Sequence, residues 1–450
     1  MKRMRVAAAV ASTVLAVAAG CTPRQPWSSE LVSVKAGGGD SANGPTYDAR
    51  FALGGEAVAF STSASDLVAG DTNGVSDVFV RYLDSGTTER ITDSPGGQVD
   101  DGSTLVDVSD DGGTVLYMTR LRLPAPDKGL ERAYFTYDLA TGETQVGIPR
   151  NPSAYANYGD AALSPDGSMV GWQTPDTDVG PTDTNSKFDV YVHDVDTGDV
   201  TLVSANAAGT DAGDRQSYQF SFSPDGTRVA FTSEAGDLVP GDDEPCSEDP
   251  IGQYSWSSCA DVFVRDLTTG TTTLVTPDAT GTGTGNWTSE RPVFSPDGDH
   301  VAFTSMASDL GPTDSPREEG RDGKRDQYDV YVRDLVAGTT TLVSSNAAGT
   351  DSANGRSFSA VYSPDGSRLA FTSVATDLGP DDTDADLTDD AGQDAYVADL
   401  ATGEVVMASA NAAGTDSGND QLLYCAARMR KASSTDRGNT SMAVLPACFS

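Results

Sequence analysis

The tetrapeptide Ser-Pro-Asp-Gly occurs four times in this chain, each time between two short runs of alternating apolar and polar residues. The copies begin at residues 164, 223, 295 and 363. Pro presets the φ angle at the first central position of a turn, and Gly takes the left-handed position that follows. The motif is therefore a hairpin hinge, and the chain is a repeat protein.

One repeat supplies four short strands. Residues 220–222 precede a hinge, residues 228–232 follow it, and the run 261–266 comes after a variable loop rich in Asp. A tight turn at Thr269 and Gly270 leads into residues 272–275. A four-stranded unit repeated this often predicts the blades of a β-propeller, an all-β fold. A β-sandwich or a solenoid with similar turns is the alternative.

Two weaker copies of the repeat precede the four clear ones. They begin at Ser109-Asp110-Asp111-Gly112 and near Leu53-Gly54-Gly55-Glu56. The spacing of the hinges is longer than the roughly 40 to 45 residues of Trp-Asp repeats. The additional residues lie between the second and third strands, so we expect the insertions to crowd one face of the propeller.

The sequence of the repeat resembles that of a known family. The hinge is followed by Val-Ala-Phe-Thr-Ser and then by Asp-Val-Tyr/Phe-Val-Arg-Asp-Leu. This is similar to the TolB-like propeller repeats of bacterial envelope proteins, which are Pro-Asp relatives of Trp-Asp repeats. The resemblance covers residues 31–420 and implies a propeller. TolB carries a separate α/β domain ahead of its propeller, whereas a short linker stands here, so a role in an envelope-spanning motor is not implied.

The two ends of the repeat region bear on the number of blades. Residues 31–34 match residues 342–345, a fourth strand, so we expect an orphan outer strand that combines with the other terminus to close the propeller. Residues 428–431 stand where the next hinge is expected, and the tail 421–450 loses the acidic character of the repeats. The tail is either a degenerate last blade or the product of a shifted reading frame. The sequence predicts six or seven blades.

The N-terminus predicts the location. Three basic residues precede an apolar run, residues 6–19, that is too short to span a bilayer, so residues 1–20 are a predicted signal peptide. Residues 18–21 resemble a bacterial lipobox, in which the Cys is acylated; ordinary cleavage after Ala18 is the alternative. Cys21 is the predicted lipid attachment site, and residues 21–30 form an anchor and tether. We expect an extracytoplasmic protein held at the bacterial cell membrane by this lipid alone.

The net charge of the chain limits the classes of partner that it can bind. The formal net charge is −38. Such a charge repels phosphate backbones, which excludes nucleic acid, and it also repels anionic lipid head groups. The composition fits a single large soluble domain, which we expect to be a monomer.

Two cysteines bracket one inserted loop. Cys246 and Cys259 lie in the loop of the fourth repeat, and we predict a disulfide between them in an oxidising compartment, where it limits the freedom of a long insertion. A metal site is not indicated at this pair, because the Cys-x-x-Cys spacing and a nearby His are both missing.

The inserted loops carry Asp and Asn at alternate positions. The sets are Asp71, Asn73 and Asp77 in one loop and Asp183, Asn185 and Asp189 in another. The loop 381–394 is also rich in Asp. Calcium prefers six to eight hard oxygen ligands of this type, although these loops lack the length and the closing Glu of an EF-hand. Calcium is the one cofactor hypothesis, and solvated turns whose side chains cap backbone amides are the alternative.

Catalytic machinery is hard to find in the sequence. No Gly-x-Ser-x-Gly elbow is present, and His193 and His300 stand where sister repeats have Arg. Asp189, Asp261 and Asp329 open third strands, where a structural hydrogen bond is expected. We therefore expect a scaffold that is not an enzyme and that binds an envelope protein or glycan. The alternative is a calcium-dependent hydrolase or lyase of extracellular polysaccharide, with an Asp pair as acid and base.

Overall fold

The computed structural model describes residues 31–94, 97–98, 102–122, 130–148, 161–240, 260–281, 283–311, 328–379 and 393–410. Within these residues, six four-stranded antiparallel sheets follow one another along the chain, and each keeps its strands in sequence order. This is the predicted all-β propeller, with six blades in the part that the structure describes.

The strands define the blades. Blade 1 contains β1 Thr46–Ala52, β2 Ala57–Thr62, β3 Asp77–Tyr82 and β4 Thr88–Arg90, and it is followed by the small hairpin β5 Asp93–Ser94 and β6 Gly97–Gln98. Blade 2 contains β7 Ser103–Val108, β8 Thr114–Arg122, β9 Leu130–Asp138 and β10 Thr144–Ile148. Blade 3 contains β11 Ala161–Leu163, β12 Met169–Thr174, β13 Asp189–Asp194 and β14 Val200–Leu202.

The second half repeats this plan. Blade 4 contains β15 Ser217–Phe222, β16 Arg228–Ser233, β17 Asp261–Asp266 and β18 Thr272–Leu274. Blade 5 contains β19 Ser289–Phe294, β20 His300–Ser305, β21 Asp329–Asp334 and β22 Thr339–Leu342. Blade 6 contains β23 Ser357–Tyr362, β24 Arg368–Ser373, β25 Asp394–Asp399 and β26 Val405–Met407. The 3-10 turn Leu53–Gly55 joins β1 to β2.

Each blade stacks one aromatic pair from its second and third strands. The ring centroids lie 5.6 to 5.9 Å apart in the pairs Phe60–Phe79, Tyr117–Phe135, Trp172–Tyr191, Phe231–Phe263, Phe303–Tyr331 and Phe371–Tyr396. The branched residues on either side of these rings face the neighbouring blades. Val262 and Val264 of blade 4, for example, are buried in one cluster with Phe294 and Val301 of blade 5. The core therefore lies between blades as much as within them.

The Ser-Pro-Asp-Gly hinge folds as the sequence predicts. The Ser164 hydroxyl donates to Asp166 Oδ1 (2.7 Å), and the backbone N–H of Met169 donates to Ser164 Oγ (2.9 Å). Gly167 takes the left-handed conformation, with φ +72°. At a sister hinge, hydrogen bonds from Ser363 and Ser367 lower the pKa of Asp365 to about 2. The motif is a structural turn in which the Asp is ionised.

The connections segregate to two ends of the blades. Because successive strands are antiparallel, the loops between second and third strands emerge at the same end as the links between blades. We call this end the loop-bearing face; it includes residues 63–76, 175–188, 203–216 and 343–356. The predicted crowding of insertions on one face is what this topology produces.

The predicted sheet partner of the N-terminal run lies outside the described residues. Residues 31–34 form no strand in the described structure; Val34 makes only an isolated bridge to Ser41. Ala205 and Ala212 make the same bridge at the end of blade 3. The run therefore shares the bridge of an inter-blade link, and its pairing with the other terminus stays a prediction. In the same residues, we find no helix with the length and apolar character that crossing a membrane demands.

Candidate functional site

The loop-bearing face is held together by a repeated exchange of hydrogen bonds. Asp237 Oδ1 accepts the backbone N–H of Asp214, and Asp214 Oδ1 accepts the backbone N–H of Gly236, both at 3.0 Å. The same reciprocal exchange joins Asn43 with Asp66, Asn286 with Asp309 and Asn354 with Asp377. Each exchange fixes an inter-blade link against the start of an inserted loop. Sequence reasoning missed these residues, although the recurring Asp-Leu pair marks them.

A second repeated bond explains the Asp that opens the third strand in five of the six described blades. Asp189 Oδ1 accepts the hydroxyl of Ser204 (2.6 Å), and that hydroxyl in turn accepts the backbone N–H of Val190 (3.0 Å). The same hydroxyl bond is made by Asp77, Asp261, Asp329 and Asp394, at 2.6 to 2.8 Å. The structural hydrogen bond expected for Asp189, Asp261 and Asp329 is present.

The first predicted calcium loop brings Asn73 and Asp77 together. Asn73 Nδ2 donates to Asp77 Oδ2 (3.1 Å), and Asn73 Oδ1 accepts the backbone N–H of Val75 (3.1 Å). Arg90 Nη1 lies 3.8 Å from Asp71 Oδ1. The side-chain amide of Asn73 is therefore hydrogen-bonded within its own loop, and the Arg90 guanidinium faces the Asp71 carboxylate.

The second predicted loop has the same shape without the arginine. Asn185 Nδ2 donates to Asp189 Oδ2 (3.2 Å), its backbone N–H donates to Asp183 Oδ1 (3.1 Å), and the Tyr191 hydroxyl donates to Asp183 Oδ2 (2.9 Å). Burial raises the pKa of Asp189 to about 8, and the charge of Asp183 adds to the rise. In the described part of the chain, neither carboxylate has an ion-pair partner. Two buried carboxylates therefore share one site in blade 3.

The calcium hypothesis stays a prediction. Within the described ranges, no group of three or more His, Cys, Asp or Glu side chains is arranged to hold a metal ion. The Asp and Asn side chains cap backbone amides, as the solvated-turn alternative states. Residues 381–392 of the third acidic loop, Cys21, the pair Cys246 and Cys259, and the tail 421–450 lie outside the described residues, so those predictions also stand as made.

The calcium hypothesis predicts a difference in thermal stability. If the loops bind calcium, the ion stabilises the native state by mass action, so the melting temperature should rise with calcium and fall with chelator. Asp71→Asn with Asp77→Asn should remove part of this difference. Differential scanning fluorimetry in millimolar calcium or EDTA measures it. Equal melting temperatures in the two conditions would leave these loops as hydrogen-bonded turns.

A pair of glutamates at the junction of blades 4 and 5 was not predicted. Tyr218, in β15, is hydrogen-bonded through its hydroxyl to Glu234, and both Glu234 and Glu290 lie close enough for their charges to raise its pKa, after burial as the main cause. Gln216 Nε2 donates to Glu234 Oε1 (2.6 Å), and Arg291 Nε lies 3.2 Å from Glu290 Oε1. We call these five residues the glutamate cluster.

The glutamate cluster breaks the repeat. In the backbone register of blades 5 and 6, Met306 and Val374 occupy the position of Glu234, each with the same backbone hydrogen bond to an inter-blade link. Phe358 occupies the position of Glu290. Since sister blades fold with apolar residues here, the fold does not require the carboxylates. An alignment of the repeats against each other is the signal that finds them.

The environment of the cluster suits recognition of a polar ligand. Burial raises the pKa of Glu290, with Arg291 opposing the shift. Arg291 sits at a β-bulge with φ +60°, an uncommon conformation for a residue other than Gly. Its side chain is 55% exposed, whereas that of Glu290 is 18% exposed. Partly buried carboxylates, a hydroxyl and a guanidinium thus meet at the loop-bearing end of the inner strands.

The two histidines are structural. His193 is buried, and its Nδ1 lies 3.0 Å from the carbonyl oxygen of Gly147 in blade 2. His300 lies between two carboxylates, 3.6 Å from Asp297 and 3.7 Å from Asp334. Both join strands or turns within the repeat framework, as their places in the sequence indicate.

Comparisons with known proteins give structural likenesses only. No family model matches the chain, and no curated protein matches it. A putative TolB from Agrobacterium tumefaciens is 18% identical, with coverage of 71% of this chain and 83% of that one and a TM-score of 0.36. An oligogalacturonate lyase in complex with manganese is 14% identical, with coverage of 79% and 74% and a TM-score of 0.40. The β-propeller domain of the Trilobed protease from Pyrococcus furiosus is 13% identical, with coverage of 81% and 84% and a TM-score of 0.43.

These likenesses correct one expectation. The chain was expected not to be an enzyme, because a nucleophile and a base are missing from its motifs. That inference is wrong: the solved structures similar to this chain include a lyase and the propeller of a protease. A propeller of this kind carries catalysis in some proteins and binding in others, so the absence of a motif decides neither.

Proposed function

We propose that this chain is a TolB-like β-propeller that is anchored outside the cytoplasm through a lipidated Cys21 and binds an envelope protein or glycan on its loop-bearing face. The reciprocal Asp and Asn bonds support this proposal, because they fix the loops before a ligand arrives and so lower the ordering cost of binding. The net charge of −38 disfavours anionic ligands.

The observation that carries the proposal is the glutamate cluster. A carboxylate accepts hydrogen bonds from more than one donor, and ligand hydroxyls supply further donors in the geometry of charge-assisted hydrogen bonds. Glu234 and Glu290 both act on the pKa of Tyr218, and the Gln216 amide donates to Glu234. This set of groups favours a neutral, hydroxyl-rich glycan as the ligand.

Affinity electrophoresis tests the glycan proposal. The protein is run through native gels that contain a neutral β-glucan, dextran or polygalacturonate, and we expect retardation by a neutral polysaccharide. Glu234→Gln and Glu290→Gln should each weaken binding about 10- to 100-fold, since a hydrogen bond to a charged group contributes roughly 1.5 to 3 kcal/mol.

Glu404→Gln is the matched control. It makes the same chemical change at an exposed position in the turn before β26, at the opposite end of the blade from the loop-bearing face. We expect it to migrate as the wild type does. Retardation that the two cluster variants leave unchanged would remove the glutamate cluster from the proposal, and the absence of retardation in all three gels would remove the glycan.

The location has a separate test. If Cys21 is acylated, the protein expressed in a bacterium should partition into the detergent phase, and Cys21→Ala should move it to the aqueous phase, because the acyl chain supplies the membrane affinity. Phase separation in Triton X-114 followed by blotting measures this. A wild-type protein found wholly in the aqueous phase would contradict the lipid anchor.

A further inference from the structure

The first and last described blades each carry an open face. Phe51 pairs with Val58 in the register that pairs Phe222 with Val229. Phe222 is 3% exposed, because blade 3 covers it, whereas Phe51 is 65% exposed. Phe294 and Tyr362, the equivalent residues of blades 5 and 6, are 7% and 8% exposed. In the described residues, blade 1 therefore lacks the blade that should precede it.

Blade 6 is open on its other side. Val203, Val275 and Val343 follow the fourth strands of blades 3, 4 and 5, and each is buried against the next blade. Ala408 makes the same backbone bond in blade 6, yet it is exposed. Val397, which matches the buried Val332 of blade 5, is half-buried. A sheet is missing between blade 6 and blade 1.

The N-terminal segment, residues 31–45, lies at one edge of that missing sheet. Val32 packs against the cluster of Val58, Phe60 and Phe79 in blade 1. Val203, its counterpart in the sequence of the repeat, packs against the matching cluster in blade 4. The backbone N–H of Ala36 donates to the Asp66 carbonyl, as that of Ala207 donates to the Asp237 carbonyl. The segment thus marks where the outer edge of the missing sheet ends.

The sequence that follows blade 6 predicts a strand in the same gap. Residues 411–416 read Asn-Ala-Ala-Gly-Thr-Asp, which is identical to residues 206–211 and 346–351. In both of those copies the hexapeptide links an outer strand to the innermost strand of the next blade, which begins six residues after the hexapeptide, at Ser217 or Ser357. The same spacing places an innermost strand at residues 422–427.

We propose that residues 422–427 dock on the open face of blade 6 as the innermost strand of a seventh sheet, whose outer edge the N-terminal segment occupies. The repeat also fixes the register. Ala360 and Tyr362 of β23 pack against blade 5. A Cβ placed on Gly171 would lie 2.5 Å from the Phe220 ring, so the fourth residue of β15 covers the centre of β12.

The proposed register places the thiol of Cys425 next to Ala370. Cys425 is the counterpart of Phe220, and Ala370, at the centre of β24, is the counterpart of Gly171. Cys425 therefore lies over Ala370 in the proposed sheet. Ala398 is 2% exposed on the opposite side of blade 6, where it packs towards blade 5, and it supplies a control position.

Thiol cross-linking tests this contact in the full-length mature chain, from residue 21 on, with Cys21, Cys246, Cys259 and Cys448 replaced by Ser. Ala370→Cys is treated with dibromobimane, which fluoresces when it joins two nearby thiols. We expect an intramolecular link to Cys425 that is found by peptide mapping, and no link from Ala398→Cys. Circular dichroism melts check that each variant is folded.

Alkylation supplies a second measurement that needs no added cysteine. In the variant whose one cysteine is Cys425, iodoacetamide should react at least tenfold more slowly in the native protein than in urea. A link between two chains on a denaturing gel would assign the open face to a second copy instead. Absence of any link from Ala370→Cys, together with native alkylation at the rate seen in urea, would overturn the docking of residues 422–427.

Discussion

Phe263→Ala should lower the free energy of unfolding by about 3 to 5 kcal/mol, the usual cost of removing a buried aromatic side chain. Phe263 is fully buried and lies 5.8 Å, centroid to centroid, from the Phe231 ring. Its loss opens a cavity at the middle of blade 4, where two strands and the neighbouring blade meet. Urea unfolding followed by tryptophan fluorescence and circular dichroism measures the change in midpoint at constant slope.

Val336→Ala is the control for this substitution. Val336 is 78% exposed in the turn between β21 and β22, so its truncation should change stability by less than about 0.5 kcal/mol. A loss below about 1 kcal/mol for Phe263→Ala would contradict the packing of the six aromatic pairs. A loss that appears only in one part of the unfolding curve would show that blades unfold in separate steps.

The blades were predictable because their signals are local. Pro, Asp and Gly fix the backbone of the hinge, and the run Asp261–Asp266 appears in the structure with the bounds that the sequence predicts. The first strand of blade 4 is longer than predicted, Ser217–Phe222, because its polar start contributes backbone bonds rather than apolar surface. The turn residues that separate the runs were enough to predict four strands per repeat.

The glutamate cluster was not predictable in the same way. Glu234 and Glu290 are far apart in sequence and belong to neighbouring blades, so their common effect on the pKa of Tyr218 depends on how the blades pack. The acidic loops are a second place where the sequence left two structures open. Alternate Asp and Asn residues predict either calcium ligands or side chains that cap backbone amides, and the structure gives Asn73 and Asn185 local hydrogen bonds that the same spacing permits. Asp and Asn serve both as calcium ligands and as caps of backbone amides, and sequence spacing does not distinguish the two roles.

The contribution of Asp189 to the stability of the protein should fall as the pH rises from about 4 to 8. Burial and the nearby charge of Asp183 raise the pKa of Asp189 to about 8, whereas a carboxyl of the unfolded chain titrates near 3.9. Between these values the folded state holds a proton that the unfolded chain has released. The contribution of this group is complete below about pH 4 and is lost, by up to about 1.4 kcal/mol per pH unit, as the pH rises through 8.

Asp189→Asn tests this assignment, because asparagine keeps an acceptor for the Ser204 hydroxyl and carries no titrating group. Urea unfolding of the wild type and the variant at intervals from pH 4.5 to 9, in EDTA to keep calcium out of the loop, should give curves that diverge towards high pH, with the variant the more stable above pH 8. Asp196→Asn, an exposed change of the same kind in the turn of the same blade, should follow the wild type. Parallel curves for Asp189→Asn and the wild type would mean that Asp189 enters the fold ionised, and that the loop around Asp183 supplies the compensating charge or water.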